Sequence, residues 1–275
     1  MKDFPQELVD KVIDELFTIV GRDNSYQGYS KRFRGPREPV WGISDYSLVS
    51  RAWAGPTQKH HFSVLHLDSL DTLEKWISCV PPDPTGVSRH VRKLVLESLD
   101  LDDFEEFEDH LLALTQVECL TVGDCDCIPH HPSTTAWFSA IGSSLVELRI
   151  NDSPVAPHTI TSLLAVLPLL QRLYIYNFEI PDDDDEDEAD PPVPPRIPFF
   201  EGANDFALSS DQCHGYPERS LDWIPASARF GRLEIDMACS LDHPDLVNQW
   251  LVSSCATLTG LAIRDDPEGT PPPVI

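Results

Sequence analysis

Short apolar blocks recur along this chain at a nearly constant spacing. Each block reads apolar-x-x-Leu-x-apolar, and the central leucines are Leu65, Leu94, Leu120, Leu148, Leu173, Leu233 and Leu261. Successive central leucines lie 29, 26, 28, 25, 60 and 28 residues apart. The alternation predicts a short strand in each block, because successive side chains on a strand point to opposite faces. The double-length step predicts a degenerate block at residues 205–208.

Helix-like stretches lie between most of the predicted strands. They cover residues 73–77, 104–114, 136–141, 160–167 and 246–252. One strand and one helix cannot bury an apolar helix face alone, so consecutive units are expected to stack. The sequence therefore predicts an α/β fold, an irregular leucine-rich-repeat-like solenoid with parallel strands inside and helices outside. The central leucines would share one core, and the residues between them would line the opposite, open face.

The start of the chain has a different pattern. Residues 4–17 read as a short amphipathic helix entered by a proline, in which Leu8 and Val12 are spaced by four and Val9 and Ile13 run beside them. A second short segment with apolar residues on one side follows at residues 46–53. Both segments are expected to be helical.

Together these two segments resemble an F-box, with a Leu/Phe-Pro-x-Glu-Leu-x-x-x-Ile opening and a Ser-Leu-Val-Ser-x-x-Trp close. The blocks behind them resemble the divergent leucine-rich repeats of fungal, mushroom-type F-box proteins. The resemblance implies a substrate-recognition subunit of an SCF-type cullin–RING ubiquitin ligase, without enzymatic activity of its own. It also implies that the F-box binds a Skp-type adaptor, and through it a cullin, with Pro5, Leu8, Val9, Val12, Ile13, Leu48, Val49 and Trp53.

The repeats would bind an unknown target protein. The candidate target-binding residues, all on the predicted open face, are Lys93, Glu147, Arg149, Arg172 and Arg232. In a second interpretation the repeats bind a partner, but the chain is not part of a ubiquitin ligase. In it the chain is a leucine-rich-repeat interaction scaffold acting outside any ubiquitin ligase, and the F-box-like part only caps the first repeat.

The predicted organisation has two parts. An F-box-like helical domain occupies residues 1–60 and contains a basic insertion at residues 21–43. A leucine-rich-repeat-like domain occupies residues 61–266 and contains an acidic and proline-rich loop at residues 181–198, which we expect to be disordered. Residues 267–275, rich in proline, are expected to form a disordered tail.

Charge is distributed unevenly. The formal net charge is −26, yet residues 1–60 hold nine Lys/Arg and eight Asp/Glu, a net of +1. The remaining 11 basic and 38 acidic residues give −27, so we expect no nucleic-acid partner for the larger part. Residues 182–190 are acidic at eight of nine positions. That run is either a solvated loop or a contact site for a basic protein.

Motifs that would indicate an enzyme are missing from the sequence. It contains no clustered phosphate-binding glycines, no His-Glu-x-x-His and no Gly-x-Ser-x-Gly. Cys125, Cys127, His130 and His131 could ligate zinc, but their spacing fits a strand-to-loop turn better than a zinc module. We therefore expect no catalytic residues, no metal and no cofactor.

Several features favour the cytoplasm or the nucleus. The chain has no run of eighteen apolar residues and no charged-then-apolar leader, so neither a membrane partner nor secretion is expected. Its seven cysteines are an odd number and read as reduced, partly buried residues.

Overall fold

An eight-stranded sheet organises the part of the chain that the structure describes. The computed structural model describes residues 5–14, 51–99, 107–124, 132–151, 153, 155, 157–176, 197–209, 221, 223–236 and 244–264. The strands follow one another across the sheet in chain order, and every neighbouring pair is parallel. Helices occur in most of the connections, so the α/β class predicted from the sequence is confirmed.

The strands are short, and the helices vary more in length. The strands are β1 (Val64–Leu67), β2 (Lys93–Glu97), β3 (Cys119–Gly123), β4 (Glu147–Asn151), β5 (Arg172–Tyr176), β6 (Asn204–Ser209), β7 (Phe230–Asp236) and β8 (Gly260–Arg264). The helices are α1 (residues 6–14), α2 (Arg51–His61), α3 (Leu70–Cys79), α4 (Glu108–Leu112), α5 (Pro132–Ile141), α6 (Pro157–Val166), α7 (Pro198–Glu201) and α8 (Pro244–Ser254). A 3-10 turn at Val87–His90 precedes β2.

The central leucines of the sequence pattern occupy one register row across the sheet. The row consists of Leu65, Leu94, Leu120, Leu148, Leu173, Phe206, Leu233 and Leu261, each paired with the next. Phe206 stands where the sequence predicted a degenerate block. The predicted parallel strands and their alignment are therefore confirmed, including the block in which an aromatic residue replaces leucine.

The core lies between the leucine-bearing face of the sheet and the helices. Leu94, Leu120 and Leu173 have no exposed surface, and Phe138 and Leu164 from two helices belong to the same buried cluster. Burial of such side chains stabilises the fold by about 1.5–3 kcal/mol each. The row of leucines thus forms an apolar layer on the face of the sheet that packs against the helices.

The last member of this row departs from the prediction. We expected Leu261 to be buried, but 48% of it is exposed. Helix α3 packs against β1, and α8 against β7, so each of these helices covers the strand that precedes it in the chain. No described helix follows β8, and the expectation for Leu261 is wrong for that reason.

Four helices begin with a proline at their first residue: α5, α6, α7 and α8. Proline suits this position because its fixed φ matches the helix and its missing N–H would have had no partner there.

The short helix α7 begins at Pro198, and the preceding Ile197 is 4% exposed. The acidic and proline-rich loop predicted for residues 181–198 therefore does not reach its predicted end. Residues 181–196 of that loop lie outside the described residues, as do the insertion and the tail.

The backbone repeats one arrangement where strands begin. The carbonyl oxygens of Ser63, Arg92, Glu118 and Val146 each accept two N–H groups from the next unit, at distances of 2.7–3.0 Å. At the other end of β2 and β3, Ser98 and Asp124 adopt left-handed φ values of 52° and 51°. Their N–H groups donate to the next strand's Gly123 and Asn151 at 3.0 Å, which extends the ladder past each strand.

Candidate protein-interaction surfaces

Helix α1 divides its apolar residues between two faces. Val9 and Ile13 are each 1% exposed, whereas Leu8 is 46% exposed and Val12 42%. The two exposed residues are four apart, so they lie one above the other on the same helical face. This face leaves a narrow apolar stripe on the surface, and Pro5 at the start of the helix is also exposed.

Helix α1 is fixed to α2 by a polar contact. Asp14 Oδ1 and His60 Nε2 lie 2.5 Å apart, although the two residues are far apart in sequence. Helix α2 continues through His61. The sequence predicted the second segment at residues 46–53, so the described helix extends eight residues beyond that prediction.

Of the other residues predicted to bind an adaptor, one lies within the part of the chain that the structure describes. Trp53 is half-buried in the first turn of α2. Leu48 and Val49 lie outside the described residues.

The second surface is the sheet face opposite the leucines, called the polar face here. Strand alternation places all five candidate target-binding residues on it. Lys93 and Arg232 are exposed, while Arg149 and Arg172 are half-buried. Glu147 is only 8% exposed, so it contributes to this face mainly by holding its neighbours.

Glu147 is held by three donors from three adjacent strands. The Nε atoms of Arg149 and Arg172 each donate to one of its carboxylate oxygens at 2.6 Å, and the Cys119 thiol donates at 3.4 Å. Burial acts to raise the pKa of the Glu147 carboxyl, but hydrogen bonds and charge from Arg149 and Arg172 outweigh it and hold that pKa below its usual value. The same carboxylate raises the pKa of Arg172.

Within the same cluster, the pKa of Cys119 is raised, whereas that of Glu147 is lowered. Burial first, and then the negative charge of Glu147, raise the pKa of the Cys119 thiol to about 11. The thiol is therefore protonated at neutral pH and acts as a donor rather than as a nucleophile. Cys79 and Cys255 are exposed, so only Cys119 among the three described cysteines matches the predicted partial burial.

Two tyrosines extend the cluster along β5. The Arg149 guanidinium lies 4.8 Å from the centre of the Tyr174 ring, and the rings of Tyr174 and Tyr176 stack at 6.3 Å with an interplanar angle of 7°. Burial, with the nearby charge of Glu147, raises the pKa of Tyr174. Sequence reasoning missed both tyrosines. Their spacing of two residues on a predicted strand, in phase with Arg172, was the available signal.

Two further side-chain pairs lie on the polar face. His66 and Glu97 are 3.1 Å apart at the β1 end, and Arg232 and Glu234 are 3.9 Å apart on β7. The face is mixed in charge, although the whole chain is strongly acidic. Its most basic part combines the Glu147 cluster, with Arg149 and Arg172, and Lys93 two strands away.

Cys125, Cys127, His130 and His131 fall outside the described residues. Within the described ranges, no cluster of three or more histidine, cysteine, aspartate or glutamate residues is arranged to hold a metal ion. None of the described helices combines the length and apolar character needed to cross a bilayer.

Comparison with known proteins gives no assignment: the chain matches no family model, no curated protein and no solved structure.

Proposed function

We propose that this chain is the substrate-recognition subunit of an SCF-type cullin–RING ubiquitin ligase. Its N-terminal segments act as an F-box that binds a Skp-type adaptor, and its strand–helix units form a leucine-rich-repeat-like solenoid whose polar face binds a target protein. The chain itself is not an enzyme. Its role is to hold a target lysine near the ubiquitin-charged enzyme, which raises the effective concentration of the two reactants.

The observation that carries this proposal is that α1 has both a buried and an exposed pair of apolar residues. Val9 and Ile13 are buried and maintain the fold, while Leu8 and Val12 remain exposed on the adjacent stripe of the helix. An exposed apolar pair on a short helix is suited to a protein partner, because its burial on binding would add about 1.5–3 kcal/mol per side chain. Pro5, Leu8 and Val12 are therefore the proposed adaptor contacts of this helix.

The sheet supports the second half of the proposal. The strands follow chain order in parallel, and the leucine row repeats once per unit. This arrangement is typical of leucine-rich repeats, which use the face opposite the helices to bind partners. The compartment follows from the proposed complex and is the cytoplasm or the nucleus.

Calorimetric titration of the full chain with a Skp-type adaptor tests the proposal. We expect binding at micromolar concentrations and its loss on Leu8→Asp, with an unchanged circular dichroism spectrum. Leu70→Asp is the matched control, because Leu70 is 43% exposed and belongs to a different helix, at the start of α3. Absence of binding by the unaltered chain would reject the ligase and leave the scaffold interpretation.

A further inference from the structure

We infer that the central part of the polar face binds an extended acidic segment of the target protein. The inference rests on the proposed use of this face for target binding and adds the chemistry of the ligand. The binding groups are Lys93 on β2 and Arg172 on β5, with Glu147 and Arg149 between them as positioning residues.

The guanidinium groups are held in place before any ligand binds. Arg172 uses its Nε atom to donate to Glu147, and that contact orients the rest of its guanidinium, whose side chain is 41% exposed. Arg149 is fixed by Glu147 and by the ring of Tyr174. A side chain that is already ordered loses little conformational entropy on binding, and paired N–H groups of arginine match a carboxylate.

The spacing of the two binding groups defines the ligand. Lys93 and Arg172 lie in one register row, with Cys119 and Glu147 between them. Three strand spacings separate them by about 14 Å, which equals the distance between residues four apart in an extended peptide. The segment would therefore cross the strands with two carboxylates four residues apart. An uncharged residue midway between them would pass over Cys119 and Glu147.

The surrounding charge adds selectivity. Asp205 pairs in register with Arg172 on β6, and the chain carries 46 acidic against 20 basic residues. An acidic ligand is repelled over most of such a surface, which favours the register that places its carboxylates on Lys93 and Arg172.

Fluorescence anisotropy with the full chain tests this inference. The probe is a labelled peptide with two glutamates four residues apart in an otherwise uncharged sequence, at about 0.15 M salt. We expect the matched glutamine peptide, and a peptide with its glutamates only two residues apart, to bind about tenfold more weakly.

Substitutions in the protein locate the site. Lys93→Gln and Arg172→Gln should each weaken binding of the glutamate peptide about tenfold, whereas Lys75→Gln on α3 removes the same charge from the helical side and should change nothing. Lys93 is exposed, so its substitution tests the site without disturbing the Glu147 cluster. Equal binding of glutamate and glutamine peptides, tighter binding of a lysine peptide, or an equal effect of Lys75→Gln would each overturn the inference.

The adaptor titration on the same variants separates the two proposals. Lys93→Gln and Arg172→Gln should bind the adaptor normally, because these residues lie far along the chain from α1. Loss of adaptor binding in the unaltered chain with peptide binding retained would reject the ligase alone. Adaptor binding without selective peptide binding would reject the acidic ligand alone.

Discussion

Glu147 on β4 accepts a 2.6 Å hydrogen bond from Arg172, which lies directly opposite it in the β5 register. The pair joins two consecutive units of the sheet, and Arg149 supplies a second bond of the same length from within β4. Removing the carboxylate would leave both guanidinium groups without this partner.

We therefore expect Glu147→Gln to lower the free energy of unfolding at about pH 7 by about 1–3 kcal/mol. The loss should fall near the lower value, since Arg172 is partly exposed and solvent screens its charge. Urea denaturation measures the difference. Glu118→Gln, which removes the partner of Arg92 in an exposed pair 3.4 Å apart, is the control and should cost less than about 0.5 kcal/mol.

The contribution of Glu147 to the stability of the fold should depend on pH. Because folding lowers the pKa of Glu147, the carboxylate stabilises the folded state at pH values above its unfolded pKa of about 4.3. This contribution is lost as the pH falls through the lower, folded value. The stability difference between the unaltered chain and Glu147→Gln should therefore shrink from about pH 7 to about pH 3. A difference that stays constant over this range would contradict the prediction.

The leucine row allows a comparison at equivalent positions. Leu148 is 1% exposed and Leu261 48%, although both are the second residue of their five-residue strands. We expect Leu148→Ala to cost about 2–5 kcal/mol through the cavity it creates. Leu261→Ala should cost less than half as much, since much of that side chain is already in water. Thermal or urea denaturation of the two variants side by side measures the ratio, and equal losses would mean that β8 is covered in solution.

The two faces of α1 should respond differently to a charge. Ile13→Asp places a carboxylate where the side chain is 1% exposed and removes burial worth about 1.5–3 kcal/mol, before any cost of the charge itself. Leu8→Asp places it at a site already in contact with water. Limited proteolysis should cut the N-terminal region of the Ile13 variant rapidly and that of the Leu8 variant at the normal rate.

Cys119 should resist alkylation. Its thiol pKa is raised to about 11, so very little thiolate is present at about pH 8. Iodoacetamide labelling followed by peptide mass spectrometry should modify the exposed Cys79 and Cys255 first. In Glu147→Gln, which removes a nearby negative charge, Cys119 should react faster. An unchanged rate there would show that burial alone controls the thiol.

The fold was predictable where the sequence repeats the apolar-x-x-Leu-x-apolar pattern. Alternation and spacing placed Leu94, Leu120 and Leu148 in one row, and the double-length step predicted the block at residues 205–208 that contains Phe206. The exposure of Leu261 depends on whether a helix follows its strand, which the pattern within the block does not contain.

The candidate site was predictable only in part. Alternation assigned Glu147 to the correct face, but its burial results from arginines two and twenty-five residues further along the chain. The adaptor residues of α1 were predicted as one set. Their division into buried and exposed pairs depends on how α1 packs, which includes its contact with His60.

Because each strand pairs only with its neighbours in chain order, the two ends of the sheet can open separately from its middle. Amide hydrogens of β8, whose Leu261 and Ile263 are 48% and 49% exposed, should exchange with solvent by fraying of a single unit. Those of β3 to β5 exchange only when several units open together, so protection should decrease in steps from the centre towards β8. The molecule would then lose structure progressively from one end, with the Glu147 cluster in the part that persists longest.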